Sequence, residues 1–232
     1  MVLNSFLILL QEILRDGGQR YTETNLDNLI AEPFNAVSAF IFLGIAFYWV
    51  IRLKGRYKEY LFLSLALPIL LIGGFGGTMY HAFRISQVFL VMDWMPILIL
   101  CLSASIYFFV RGGGGWISGV GAVVALFLLQ WMAGQWVPEA YRLNVGYGIM
   151  ASLILIPILM VIKKTNFHQA KWVGLGLGAF LFAIFFRAVD PLAWIPMGTH
   201  FLWHVFGAIA CHSLLTYIYE LESAKHLFAK KD

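Results

Sequence analysis

The sequence predicts an all-α protein: a seven-transmembrane helix bundle with a short N-terminal interfacial helix. Three observations carry this. Of the 232 residues, 61% are hydrophobic and only 12% are charged, about half the charge of an ordinary soluble domain. The apolar residues come in runs of roughly 20, long enough to cross a bilayer at about 1.5 Å per residue. Short basic or glycine-rich segments separate the runs.

In chain order, the segment NSFLILLQEILRDGG comes first. It is too short and too charged to cross, and its apolar residues recur at near-helical spacing, so it reads as an interfacial helix. No basic stretch precedes it, which argues against a signal peptide. The spans then fall at about 33–53, 59–80, 88–110, 116–133, 143–162, 171–188 and 197–219. This divides the chain into an N-terminal helix and loop (1–32), a membrane domain (33–219) and a polar tail (220–232). Gly112–Gly115 make a flexible connection between spans three and four. Cys101 and Cys211 both sit within apolar runs, so no disulfide framework is suggested.

Basic residues set the orientation. Arg52, Lys54, Arg56 and Lys58 lie between spans one and two, Lys163, Lys164 and Lys171 between five and six, and Lys225, Lys230 and Lys231 after seven; Arg111 is on the same side. The other side has Arg15, Arg20, Arg84, Arg142 and Arg187. The C-terminus is therefore expected in the cytoplasm and the N-terminus outside. The formal net charge of +4 reports this topology and does not imply a nucleic-acid partner. Small size and minimal termini suggest a bacterial inner membrane.

Unusual polar residues gather at one depth. Glu32, Asn35 and Ser38 open span one, His81 ends span two, Asp93 is near the start of span three, Arg187 and Asp190 close span six, and His200 and His204 open span seven. Each is at the non-cytoplasmic end of its helix. Ionisable groups in spans are costly and usually kept for function. His200 and His204 are four residues apart, about 400° of rotation, so they share a face. That spacing lets two imidazoles chelate one ion, and His81 is the remaining histidine at that depth. Three histidines with an open position are the arrangement of a catalytic zinc rather than a structural one. Asp93 is then the candidate acid/base. The competing reading of the histidine pair is interhelical hydrogen bonding. His212 lies two turns below His204 and reads as a packed histidine, Arg187 and Asp190 as an ion pair steadying the rim, and Gly73 and Gly77 as close helix packing that also leaves room for substrate.

The set AEPFNAVSAF, GGTMYH, DWMPI and GTHFLWH, in that order and on those spans, resembles the alkaline ceramidase family. That family belongs to a wider group of seven-span metal hydrolases that includes the adiponectin-receptor-like proteins. The resemblance runs from Tyr21 to about Tyr217. It implies a zinc site of His81, His200 and His204, with Asp93 beside it, and hydrolysis of the amide of a ceramide-like membrane lipid to a sphingoid base and a fatty acid. The family usually carries serine four residues before its first histidine. Here that residue is Gly77, and Thr78, rotated by about 100°, is the neighbouring hydroxyl and the candidate for oxyanion stabilisation. The resemblance also implies a calcium site ahead of span one, for which Glu23, Asn25 and Glu32 match in type. Arg20 replaces the first acid of that pattern and the spacing to Glu32 is shorter, which weakens calcium binding. Equally open is that Glu23 and Glu32 hydrogen-bond the N-terminal loop.

Readings from other classes make different demands. A metal or proton transporter needs polar groups through the full membrane thickness, and the cytoplasmic halves of the spans have few besides Ser103, Ser105, Ser152 and His212. A haem protein needs axial ligands on opposed helices, whereas His200 and His204 share a face. A seven-span lipid receptor would use the same pocket as the hydrolase and differs from it only in leaving the lipid intact.

Overall fold

The computed structural model describes residues 16–224. Seven long helices account for most of them: α1 Pro33–Arg52, α2 Leu61–Phe83, α3 Gln87–Gly112, α4 Gly115–Trp136, α5 Glu139–Lys164, α6 Ala170–Val189 and α7 His200–Ser223. A single 3₁₀ turn, Asp190–Leu192, lies between α6 and α7. Each long helix contains a segment apolar enough, and free enough of charge, to cross a membrane. The chain is a multi-pass membrane protein. The expected interfacial helix falls on residues before 16, and the tail lysines on residues after 224; both lie outside the described residues.

The helices outrun the apolar windows where polar ends continue the coil. α5 begins at Glu139, ahead of the expected 143, with its acidic residue in the first turn where the helix dipole favours it. α7 starts at His200 rather than 197 because Gly198 adopts a left-handed φ of +67° and breaks the turn before it. It continues past the expected 219, since Leu221 and Ala224 are still buried.

Contacts divide the chain into two compact units, and the division cuts α3 and α7. The first contains residues up to Ile97 together with Lys171–Thr216. Its helices approach closely through glycine, as in many membrane interfaces. A methyl group at Gly74 of α2 would lie 2.8 Å from the Leu43 backbone nitrogen of α1. One at Gly76 would lie 2.7 Å from the Met92 carbonyl carbon of α3. Gly73 faces Pro96 in the same way.

The second unit contains Leu98–Ala170 and the residues from Tyr217. There Ser105 donates to the Leu153 carbonyl (2.9 Å) and Gln130 to that of Gly146 (2.9 Å). Lys164 closes one end by donating to the Arg111 carbonyl (3.0 Å). In both units large apolar side chains point outward, among them Leu65, Trp116, Trp131 and Leu181. In water such a surface would aggregate; in a bilayer it is the solvated face.

Candidate metal centre

The inside of the first unit is not uniformly apolar. His81, from the last turn of α2, meets His200 and His204 from the start of α7. One ligand nitrogen of each lies within 4.8 Å of the others. The ring centroids are 5.3 Å apart for His81–His200, 4.8 Å for His81–His204 and 4.8 Å for His200–His204. All three residues are buried.

The start of α7 is fixed from outside the helix. Asp190 Oδ1 accepts from the backbone N–H of Thr199 (2.7 Å) and of His200 (2.8 Å), satisfying two of the donors a helix N-terminus leaves open. Its Oδ2 accepts from the N–H of Thr22 (3.0 Å), so the same carboxylate ties the N-terminal loop to α7. Asp190 gives both oxygens to backbone amides, and the Arg187 guanidinium lies 5.2 Å over the Trp203 ring.

Two of the histidines have their outer nitrogen engaged. His81 Nδ1 is 2.5 Å from Glu32 Oε2. His204 Nδ1 is 2.9 Å from Ser38 Oγ, and that hydroxyl itself donates to the Asn35 carbonyl (3.0 Å). With the serine proton directed at Asn35, Ser38 accepts from His204 Nδ1–H. A carboxylate likewise can only accept, so His81 carries its proton on Nδ1. In the neutral tautomer so selected, each ring turns Nε2 toward the cluster as the free lone pair, the form in which imidazole binds a metal. His81 Nε2 and His200 Nδ1 are buried without a hydrogen-bond partner. Leaving such a nitrogen unmatched costs about 1–3 kcal/mol. Three imidazole nitrogens at this separation fit a divalent ion such as zinc, which would satisfy them together.

Glu32 is a hub. Besides His81 it accepts from Thr24 Oγ1 (2.5 Å), Asn35 Nδ2 (3.2 Å) and Arg84. Arg84 is held in turn by Asp16 through Nε (2.7 Å) and Nη2 (3.3 Å), and donates to the Gln19 carbonyl (2.9 Å). Burial pushes the Glu32 carboxyl upward, but the hydrogen bond from His81, the Arg84 charge and the hydrogen bond from Thr24 outweigh it and hold the group below the ordinary carboxylate value. Asp16–Arg84–Glu32 is a chain of buried, alternating charges that ends against His81, a candidate ligand.

Glu23 and Asn25, considered with Glu32 as calcium ligands, are engaged locally. Glu23 caps α1 by accepting from the N–H of Phe34 (2.5 Å) and Asn35 (2.9 Å). Burial raises its pKa against the pull of those two bonds. Asn25 is exposed and accepts from the N–H of Asp27 (3.0 Å). The only group of three or more potential His, Cys, Asp or Glu ligands among the described residues is the histidine set.

Asp93 faces the same side of α2 as His81. Gly77 precedes His81 by one turn, and a methyl group there would stand 2.5 Å from Asp93 Oδ1. The bare glycine is therefore the seat of the Asp93 carboxylate, and a side chain at Gly77 must displace it. The Thr78 hydroxyl donates back along its own helix to the Gly74 carbonyl (2.7 Å). With its proton so used, Thr78→Val is expected to leave turnover within about threefold of wild type, since deleting a true oxyanion donor costs about 10²–10³. Steady-state rates at equal metal content check this.

His212, set aside as a packed histidine, lies against Tyr48 and Trp49 at 5.5 and 5.8 Å. Three contributors escaped the sequence reading as parts of the site: Asp16, Arg84 as a partner of Glu32, and Tyr21 as a ring against His200. Arg84 had a signal, a cation three residues after His81 at the end of an apolar run. Asp16 had none. No family model matches the chain, and no curated protein matches it either.

Proposed function

We propose that the protein is a metal-dependent intramembrane hydrolase that uses zinc to cleave the amide of ceramide-like lipids. The observation that carries this is the convergence of three buried imidazoles, two with Nδ1 already bonded, beside a carboxylate seated against Gly77. The resemblance of the four motifs to alkaline ceramidases points to the same chemistry and names the lipid class.

A zinc ion supplies Lewis acidity toward a carbonyl oxygen and a water when bound there. The chain supplies the rest. Glu32 and Ser38 hold the Nδ1–H groups of His81 and His204 and so turn Nε2 of each toward the metal position. Asp93 accepts the proton from the attacking water and returns it to the leaving amine nitrogen as the C–N bond breaks. The fatty acid and the sphingoid base are the products. Thr22 and Asp190 pin the N-terminal loop to α7 near the histidines, and the apolar outer faces suit a lipid arriving from the side, with its acyl chain between helices. The distribution of basic residues puts the centre toward the non-cytoplasmic surface, with the N-terminus outside and the C-terminus in the cytoplasm.

The test combines metal analysis with turnover. Purified protein is expected to hold one zinc per chain and to release fatty acid from a ceramide panel only when loaded. His204→Ala should lose most of the zinc. Retention at the wild-type ratio would remove this ligand set, and zinc-loaded protein that binds lipid without cleaving it would make it a receptor.

A further inference from the structure

The three histidines are not held alike. His81 has Glu32 on its outer nitrogen and His204 has Ser38. Among the described residues, His200 hydrogen-bonds only through its backbone N–H, and neither of its ring nitrogens has a hydrogen-bond partner, so whichever one faces the metal leaves the other unheld. An imidazole with no outer bond has nothing polar to set its rotation about the Cβ–Cγ bond.

What lies against it is an aromatic ring. Tyr21 stacks on His200 with centroids 3.8 Å apart and planes 20° from parallel. The same Tyr21 meets His81 at 5.5 Å and a tilt of 50°, so the close, parallel contact is with His200 alone of these two. The ring is buried, and its backbone is pinned on both sides. Tyr21 N–H donates to Thr24 Oγ1 (2.9 Å), and the Tyr21 carbonyl accepts from Thr24 N–H (3.1 Å). The next residue, Thr22, bonds Asp190 twice, through its N–H (3.0 Å) and its hydroxyl (2.5 Å, to the carbonyl). Asp190 is also the group that receives His200 N–H. One residue thus anchors both the backbone beside Tyr21 and the backbone of His200, and the stack is built into the loop.

We propose that Tyr21 is the positioning residue for His200: the face of its ring sets the rotation of the imidazole, as Glu32 and Ser38 do by hydrogen bonds for the other two. This rests on the reading of the three histidines as a metal centre. The ring face is what acts; the hydroxyl is not required. Loss of an outer partner of a ligating histidine typically weakens metal binding by about 10–100-fold, and an effect on the order of tenfold is expected here.

The experiment uses the full chain in detergent and the metal alone. Tyr21→Phe and Tyr21→Trp keep an aromatic face, whereas Tyr21→Leu and Tyr21→Met keep bulk without one. Two readouts are taken: the visible absorption of the cobalt-substituted protein, which reports ligand geometry, and the rate at which a chelator removes zinc. Phe and Trp should match wild type in both. Leu and Met should shift the cobalt bands and release zinc about tenfold faster, with a thermal midpoint of the metal-free protein close to wild type. Having two non-aromatic variants keeps the test open if one fails to fold. Wild-type protein that takes up no metal would sink the metal-centre reading. Wild type that binds one ion, with Leu and Met indistinguishable from it, sinks the role of Tyr21, as does a Phe variant as impaired as Leu.

Discussion

Asp93→Asn is expected to keep both metal and fold and to lose hydrolysis by about 10²–10⁴, the usual contribution of a positioned acid/base. The amide has the shape of the carboxylate, so it can occupy the same seat against Gly77, where a single added carbon would already stand 2.5 Å from Oδ1. The contacts of α2 with α3 through Gly73 and Gly76 need not change. What changes is chemistry: the amide oxygen cannot take the proton of an attacking water, and the amide nitrogen cannot return one to a leaving amine. The three imidazoles are untouched, so zinc content measured on the same preparation should equal wild type. A variant within about threefold of wild-type turnover would exclude Asp93 from acid/base work. A variant that loses its metal would instead make Asp93 part of the centre's support.

The spans and the histidine set were legible in the sequence because each follows from one local rule. Runs of about 20 apolar residues make helices in a bilayer, and a spacing of four puts His200 and His204 on one face whatever surrounds them. His81 and Asp93 could be added because polar residues are rare enough in spans that a shared depth stands out. The second layer of the site was not legible, since it depends on where an irregular loop folds back. Glu32 reads equally as a loop carboxylate or a calcium ligand; only the fold brings it to His81 Nδ1. Tyr21 lies 179 positions from the ring it stacks on, with no periodicity to connect them. Thr78 illustrates the opposite limit. Its hydroxyl was visible, but a threonine in a helix can bond the carbonyl one turn back, and the Gly74 carbonyl is the partner here. Gly77 reads as an omission beside a family serine, yet in this chain the vacated volume holds the Asp93 carboxylate.

Arg84→Met is expected to be the most damaging substitution outside the histidines. Arg84 is the single cation between two carboxylates, Asp16 and Glu32, and the side chains of all three are fully buried. It caps the end of α2 with a left-handed φ of 54°, a conformation a non-glycine residue adopts only when its surroundings hold it. Methionine fills the stem but leaves two buried anions without a countercharge. Removing one partner of a buried pair costs about 3–5 kcal/mol, a large share of a protein's net stability. The protein's cheapest relief is to protonate Glu32, which leaves His81 Nδ1–H a neutral and weaker acceptor, or to let the loop from Asp16 swing out, which loosens the surroundings of Glu32. Denaturation in detergent should therefore show the loss in stability, and zinc affinity should fall with it. Adding Asp16→Asn to Arg84→Met removes one of the stranded charges and should recover part of the stability, because residues of one network do not act additively. If Arg84→Met lies within about 1 kcal/mol of wild type and binds zinc normally, the charge chain from Asp16 to His81 does not support the centre, and Glu32 holds His81 unaided.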